Sequence, residues 1–369
     1  MIEGTCYLPV QTVREFMTDV FKKLGVPAED AAISAGVLIS ADLRGIESHG
    51  IGRLRYYYDR IKRGQHQPVT RFEIVREGPS TALVDGHHGM GHVIGVRAMR
   101  LAMDKARACG TGIVVVRNST HYGIAGYYPL MAVKEGIVGM SVTNARPAIA
   151  PTFSAYPMLG TNPIAFGAPT DEEDRPFLYD AATSIVQRGT FEVLHREEAQ
   201  GEAGWAVRSD GTPAVDPGEV LDKLEAGKAA LLPLGGAGET LGGHKGYGLA
   251  VMVEVLSSAL QGGAFMYGLI GFDEKGARRP YCVGHFFMAV DIEYFLPLEE
   301  FKKTTGTIMR ELRAVPRVPG EERVYTAGEK EAESERRVRA EGVPIVPNLQ
   351  KEIRFLQSEL GLNGYAFPF

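Results

Sequence analysis

The stretch TALVDGHHGMGHVIG, residues 81–95, decides how the rest of the chain is read. Thr81 to Val84 is a short strand candidate and a helical run begins near Val93, so Gly86, Gly89, Gly91 and Gly95 stand in a strand–turn–helix context. That context imitates the glycine loop with which a Rossmann domain brings backbone N–H groups up to a pyrophosphate. Two features count against that use. The strand ends in Asp85, an awkward neighbour for a phosphate. The next strand, Ile113 to Val116, ends in Arg117-Asn118, where a ribose-binding carboxylate is expected. The stretch is therefore read as a glycine-rich turn feeding a helix, and a nucleotide site is sought elsewhere. His88 and His92 share a helix face as metal ligands do, but no third ligand stands near them. They are read as surface or packing histidines, and no metal is expected.

Outward from this stretch the pattern is mixed. Strand-like runs are predicted at Phe72–Val75, Ile113–Val116, Val138–Val142, Phe177–Tyr179 and Phe286–Ile292. Helices are predicted between them, near Val93–Ala108, Gly126–Glu135 and Tyr247–Leu260. Both ends of the chain read as helical: Val10–Leu24, Pro27–Leu43 and Ile51–Lys62 before the body, Glu299–Leu312, Glu329–Glu341 and Leu349–Leu360 after it. The expected fold class is α/β (α+β). Residues 1–70 with 300–369 form a helical domain, and residues 71–299 form an α/β domain.

Bulk numbers exclude several function classes. Of 369 residues 44% are hydrophobic and 23% charged, which is the composition of a folded globule. The net charge of −5 argues against nucleic acid or an anionic membrane as partner. Cys6, Cys109 and Cys282 are far apart and odd in number, so neither a disulfide framework nor a zinc knuckle is expected, and reduced thiols fit the cytoplasm. Met1 to Pro9 lacks the pattern of a signal peptide, and every apolar run is broken before it is long enough to span a bilayer.

Three constellations carry possible chemistry. The first is Ser48-His49-Gly50 with Arg53. A neutral histidine suits removal of a hydroxyl proton near pH 7, and an arginine clamps a carboxylate with two parallel hydrogen bonds. The alternative is that Ser48 caps a helix and His49 is a surface residue. The second is Asn118 to Gly123, containing His121, just past a buried strand, where α/β enzymes put their sites. The third is Thr161-Asn162-Pro163 with Asp180-Ala181-Ala182-Thr183, in which Asp180 is a ribose or histidine partner or simply ends a strand. A second glycine cluster, Leu234 to Gly248, precedes a long apolar helix and holds Lys245 near the helix start, where it either receives an anionic group or faces solvent at a flexible turn.

Taken in order, Ser-His-Gly-x-x-Arg at 48–53, His-Tyr-Gly at 121–123, Thr-Asn-Pro at 161–163, Asp-Ala-Ala-Thr-Ser at 180–184 and Gly-Gly-His-Lys-Gly-Tyr-Gly-Leu at 242–249 resemble the malate/L-lactate dehydrogenase family, which includes sulfolactate and ureidoglycolate dehydrogenases and a cyclic imino-acid reductase. The resemblance spans nearly the whole chain. It implies a family-specific NAD(P)-binding body that is not a Rossmann domain, a homodimer, and interconversion of a small 2-hydroxy acid, malate or lactate first, with its 2-oxo acid. The alternative it leaves is another reaction on the same scaffold: ureidoglycolate or sulfolactate oxidation, or cyclic imino-acid reduction. By position, His121 matches the proton acceptor of some members and His49 that of others, and Ser48 and Arg53 match substrate-binding positions. Ala125, Gly126, Tyr127, Thr161, Asn162, Pro163, Asp180, Ala181, Ala182, Lys245, Gly328, Glu329 and Lys330 match the cofactor side, with NAD preferred over NADP. At the late site, members often carry Pro-Gly-Glu where this chain has Ala327-Gly328-Glu329.

Overall fold

The computed structural model describes residues 3–196 and 198–369. The chain runs β1 (Cys6–Leu8), α1 (Val10–Lys23), α2 (Ala28–Leu43), two 3-10 turns (Glu47–His49 and Ile51–Arg53) and α3 (Leu54–Lys62). The body follows with β2 (Glu73–Glu77), β3 (Thr81–Asp85), α4 (Gly91–Cys109), β4 (Thr111–Ser119), α5 (Tyr127–Val133), β5 (Ile137–Thr143), β6 (Ile164–Ala168) and β7 (Phe177–Ala181). Next come α6 (Arg188–Arg196), β8 (Ala206–Arg208), α7 (Pro217–Glu225), β9 (Ala229–Leu231), α8 (Gly243–Ser257) and β10 (Val283–Asp291). The chain closes with α9 (Leu298–Ala314), α10 (Glu329–Glu341), β11 (Val343–Ile345) and α11 (Pro347–Glu359).

The sequence dictates the helical part through its apolar spacing. Val13, Phe16, Met17, Val20 and Phe21 form one stripe of α1, and all five are fully buried. They pack with residues of α2 and α3 and with Val338, Val343, Ile345, Ile353 and Leu356 from the far end of the chain. The two ends are also joined through their backbones: β1 pairs antiparallel with β11, Cys6 opposite Ile345 and Leu8 opposite Val343. α9 turns the other way. Its Arg310 and Arg313 bind Asp171 and Glu172, in the turn between β6 and β7.

The body is a seven-stranded mixed sheet ordered β2-β3-β4-β10-β5-β6-β7. Only β3 and β4 run parallel, and the late strand β10 inserts between β4 and β5. This is not the parallel doubly wound sheet of a Rossmann domain. Alternation along the strands separates the two faces. Val114, Val116, Phe287 and Ala289 meet α4 and α5, while Val115, Val142 and Phe286 meet Val253 of α8.

The glycine stretch at 81–95 has a packing role. The first amides of α4 are taken by threonine hydroxyls: Met90 N donates to Thr70 and Gly91 N to Thr120. A Cβ on Gly91 would collide with the carbonyl oxygens of Thr120 and His121. The helix thus starts packed against the segment that leaves β4, with its N-cap amide and first helical amide already bonded to side chains. Residues 188–231 form a small appendage around Phe191, Ala206, Val220 and Leu231. Sequence patterning did not reveal it. Among the described residues no helix is long and apolar enough to cross a membrane.

Candidate active site

Asp42, in the last turn of α2, fixes the first part of the site. Its carboxyl accepts from Ile51 N at 2.9 Å, so the 3-10 turns carrying Ser48, His49 and Arg53 are pinned to the helix. Only glycine fits at position 50, because a Cβ there would fall inside the Asp42 carboxyl group. Burial, with Glu47 adding repulsion, pushes the Asp42 pKa up to about 8. Ser48 is not a helix cap; its Oγ hydrogen-bonds His49 Nδ1 at 2.8 Å. Arg53 donates from Nε to Ser48 O at 2.6 Å, and no ion pair of its guanidinium with a carboxylate is found among the described residues.

His121 arrives from the other side, on the segment leaving β4. Its ring stacks against that of His49 with centroids 5.6 Å apart and planes at 27°. Its Nδ1 lies 2.6 Å from Tyr57 Oη, and the same hydroxyl lies 2.9 Å from His92 Nε2. Burial holds the pKa of His49 down to about 4, with Arg53 contributing. Burial holds His121 well below the ordinary histidine range, with His49 and Arg53 adding to the effect. Both imidazoles are therefore neutral at pH 7, and a guanidinium stands beside them. Such an arrangement can bind a carboxylate and exchange a proton with a neighbouring oxygen.

Tyr57 and Asp42 carried no motif, so sequence reasoning missed both. The available signal was position: Tyr57 lies one helical turn beyond Arg53, and Asp42 is a carboxylate inside an otherwise apolar helix.

The remaining motif residues fall into neighbouring groups. Asp180, on β7, accepts from Gly126 N at 2.7 Å. Burial raises its pKa to about 6, while the Gly126 amide and Arg44 oppose the rise. Ala125 and Ala182 are buried, and Tyr127 is half-buried against the α4–α5 core. Thr183 hydroxyl donates to the carbonyls of Thr161 and Asn162, which knits the Thr-Asn-Pro and Asp-Ala-Ala-Thr motifs together. Asn162 is fully buried with φ of 36°, and its amide donates to Ala250 O and the Glu254 carboxylate. Gly328 packs on Leu178 of β7, and Leu178 N donates to Ala327 O. Glu329 is buried and paired with Arg313 at 2.8 Å, and Lys330 Nζ lies 4.8 Å from the Tyr325 ring centroid.

Lys245 is exposed at the start of α8, on the rim of a depression of about 460 Å³ that Glu239, Thr240 and Leu249 also line. The glycines here let the loop fold against the helix, since a Cβ on Gly246 would strike Leu234. Neither histidine of the cluster lines this depression.

With this geometry in hand, comparison with known proteins is decisive. The model of the family described as malate/L-lactate dehydrogenase matches residues 8–354. The chain belongs to the malate/L-lactate dehydrogenase family. It is an oxidoreductase that works with a nicotinamide cofactor on a small-molecule substrate. It is 46% identical over 363 residues to malate dehydrogenase of Pyrococcus horikoshii, covering 98% of each chain. It is 38% identical to L-sulfolactate dehydrogenase of Methanocaldococcus jannaschii, over 96% of this chain and 98% of that one. Among solved structures, malate dehydrogenase of Entamoeba histolytica superposes with a TM-score of 0.95 at 43% identity, covering 99% of this chain and 100% of that one. The non-Rossmann body is thus shared with a solved malate dehydrogenase.

Proposed function

We propose that this enzyme interconverts a small 2-hydroxy acid with its 2-oxo acid, malate before lactate. The observation that carries the reading is the meeting of two neutral imidazoles with a guanidinium that has no carboxylate partner among the described residues. Arg53 binds the substrate carboxylate. His121 exchanges the proton with the substrate oxygen, and His49, held by Ser48, orients that oxygen. The dinucleotide supplies or accepts the hydride when bound.

The donor set suits such a group. Lys245 has no carboxylate partner among the described residues, and an added Cβ on neighbouring Gly248 would meet open space. Lys245 and the glycine loop would hold phosphate, and Ala125, Gly126, Tyr127, Thr161–Pro163, Asp180–Ala182 and Gly328–Lys330 would form the rest of the cofactor side. The side chains of Asn162 and Glu329 are already committed inside the protein, so these two contribute backbone and shape. We take NAD over NADP because Glu239 shares the depression with Lys245 and would repel an additional phosphate.

The helices of residues 1–70 and 300–369 act as one domain beside the cofactor domain 71–299, with α9 as the bridge between them. The working form is a homodimer. Leu249, Met252 and Val255 of α8 are exposed although the opposite side of the helix packs on the sheet, and a second copy would cover them. The three unpaired cysteines favour a reducing compartment, the cytoplasm. A panel of malate, lactate, sulfolactate, ureidoglycolate and a cyclic imino acid, each with both dinucleotides, tests the reading. It expects the highest kcat/KM for malate with NAD, and fails if no 2-hydroxy acid is turned over.

A further inference from the structure

Arg53, Tyr56, Tyr57 and Arg60 stand at i, i+3, i+4 and i+7, which sets them along one face of α3, with Arg53 at its N-cap. His121 meets the middle of this face. Its Nδ1 lies 2.6 Å from Tyr57 Oη, and its ring centroid lies 6.0 Å from that of Tyr56, edge to face. A guanidinium therefore stands at each end, with the two backbones about 10 Å apart along the helix. Helical side chains lean towards the N-terminus. That lean carries Arg60 back towards the site, and its guanidinium carbon lies 5.0 Å from the Tyr56 ring centroid. One aromatic ring thus separates Arg60 from His121.

Arg60 is held in place without being neutralised. Besides Tyr56 it has the Tyr281 ring, with the centroid 5.1 Å from its guanidinium carbon. Its Nη1 donates to Gln65 Oε1 at 2.7 Å, and Gln65 is itself buried and fixed by a 3.3 Å bond from its Nε2 to Gly271 O. Aromatic faces attract a cation and an amide oxygen accepts from it, but neither carries a charge to cancel. Asp59, the one acid of α3, is paired with Arg55 at 3.3 Å. No ion pair of Arg60 is found among the described residues. More positive charge gathers at the same place: burial and Tyr56 raise the pKa of Tyr281, while Arg60, Arg146 and Arg63 oppose the rise. A guanidinium that is oriented yet lacks a counter-ion, beside a site that handles acids, is suited to an anion arriving with the substrate.

We propose that Arg60 is a specificity-determining residue that binds a second anionic group, a carboxylate or sulfonate, at the end of the substrate remote from the reacting carbon. The enzyme thereby selects dianionic 2-hydroxy acids over monoanionic ones. The inference rests on the reading in which Arg53 and His121 engage the 2-hydroxy acid end. Arg53 takes the carboxylate beside the reacting carbon, His121 faces the oxygen, and Arg60 receives the far group past the edge of Tyr56. Malate has such a group and lactate has none, so the order of preference between them follows from the second guanidinium.

The test uses the full-length enzyme and three compounds: oxaloacetate, 2-oxosuccinamate, in which a neutral amide replaces the far carboxylate, and pyruvate, which has no far group. Wild type should reduce oxaloacetate with a kcat/KM about 10- to 10²-fold above that for 2-oxosuccinamate, the worth of a hydrogen bond between charged partners. In Arg60→Gln that advantage should shrink to less than about threefold, through a higher KM for oxaloacetate, while 2-oxosuccinamate and pyruvate change little. Arg60→Lys keeps the charge but not the planar fork and should retain part of the preference. Equal kcat/KM for oxaloacetate and 2-oxosuccinamate in wild type overturns the proposal, and that comparison needs no variant to fold. An equal loss on all three compounds in Arg60→Gln also overturns it, because a cation that merely supports α3 would act on every substrate alike. A wild-type enzyme that reduces none of the three would instead overturn the 2-hydroxy acid reading on which this one rests.

Discussion

Gly50→Ala is a single-methyl test of how the site is built. The added Cβ would fall inside the carboxyl group of Asp42, which is buried in α2 with little room to withdraw. Relief requires moving the 3-10 turn away from the helix, which breaks the 2.9 Å bond from Ile51 N to Asp42. Forcing a methyl into a packed site costs about 1–3 kcal/mol, and losing a hydrogen bond to a neutral acid adds about 1 kcal/mol. The expected loss is thus about 2–4 kcal/mol, seen as a fall in melting temperature of about 3–5 °C for a chain of this size. Because Ser48, His49 and Arg53 ride on the displaced turn, kcat/KM should fall by about 10²-fold, the effect of misplacing a reacting group by about 1 Å. Thermal melting and spectrophotometric assay of 2-oxo acid reduction measure the two effects. Asp42→Ala combined with Gly50→Ala should recover part of the stability, since the clash is gone. A Gly50→Ala enzyme with wild-type melting and kcat/KM would refute the claim that Asp42 anchors the turn.

Other predictions follow from the same contacts. Asp42 has its pKa raised on folding to about 8, so the stability it contributes is complete below about pH 4 and is lost as pH rises towards 8. Asp42→Asn has no proton to take up on folding, so its stability relative to wild type should grow by about 1.4 kcal/mol per pH unit across that window, measured by urea unfolding. Arg53→Ala should raise KM for the acid far more than KM for the dinucleotide, with Arg53→Lys only partly rescuing it because lysine lacks the planar fork. Lys245→Ala should show the reverse pattern, raising KM for the dinucleotide. Asn162→Ala strips a donor from the buried Glu254 carboxylate and should destabilise the fold by about 2–4 kcal/mol, which Glu254→Gln in the same chain should lessen.

How much of this was legible follows from which interactions are local. The helices of both termini were readable because stripes such as Val13, Phe16, Met17 and Val20 repeat at the helical period. Residues 81–95 were readable as a turn feeding a helix, and α4 does begin there at Gly91, its first amides bonded by the hydroxyls of Thr70 and Thr120. β6, the strands of β1–β11 pairing and the appendage at 188–231 were missed. Those strands are three to five residues long and too short for alternation to declare itself. The expected helix from Ile51 is a 3-10 turn followed by α3, because Asp42 and not Ser48 takes the amide at its start. Motif order brought out Ser48, His49, Arg53 and His121. The contacts of Tyr57 and His92 behind them join residues 35 and 64 positions apart, and no local pattern reports such a pairing.

The central claim is that Arg53 and His121 act on one substrate molecule beside the nicotinamide. A crystal structure of the enzyme with NADH and oxamate, a non-reactive mimic of a 2-oxo acid, tests it most directly. The account predicts the oxamate carboxylate on the Arg53 guanidinium and its carbonyl oxygen within hydrogen-bond distance of His121 Nε2. Oxamate bound beside the dinucleotide but touching neither residue would contradict it.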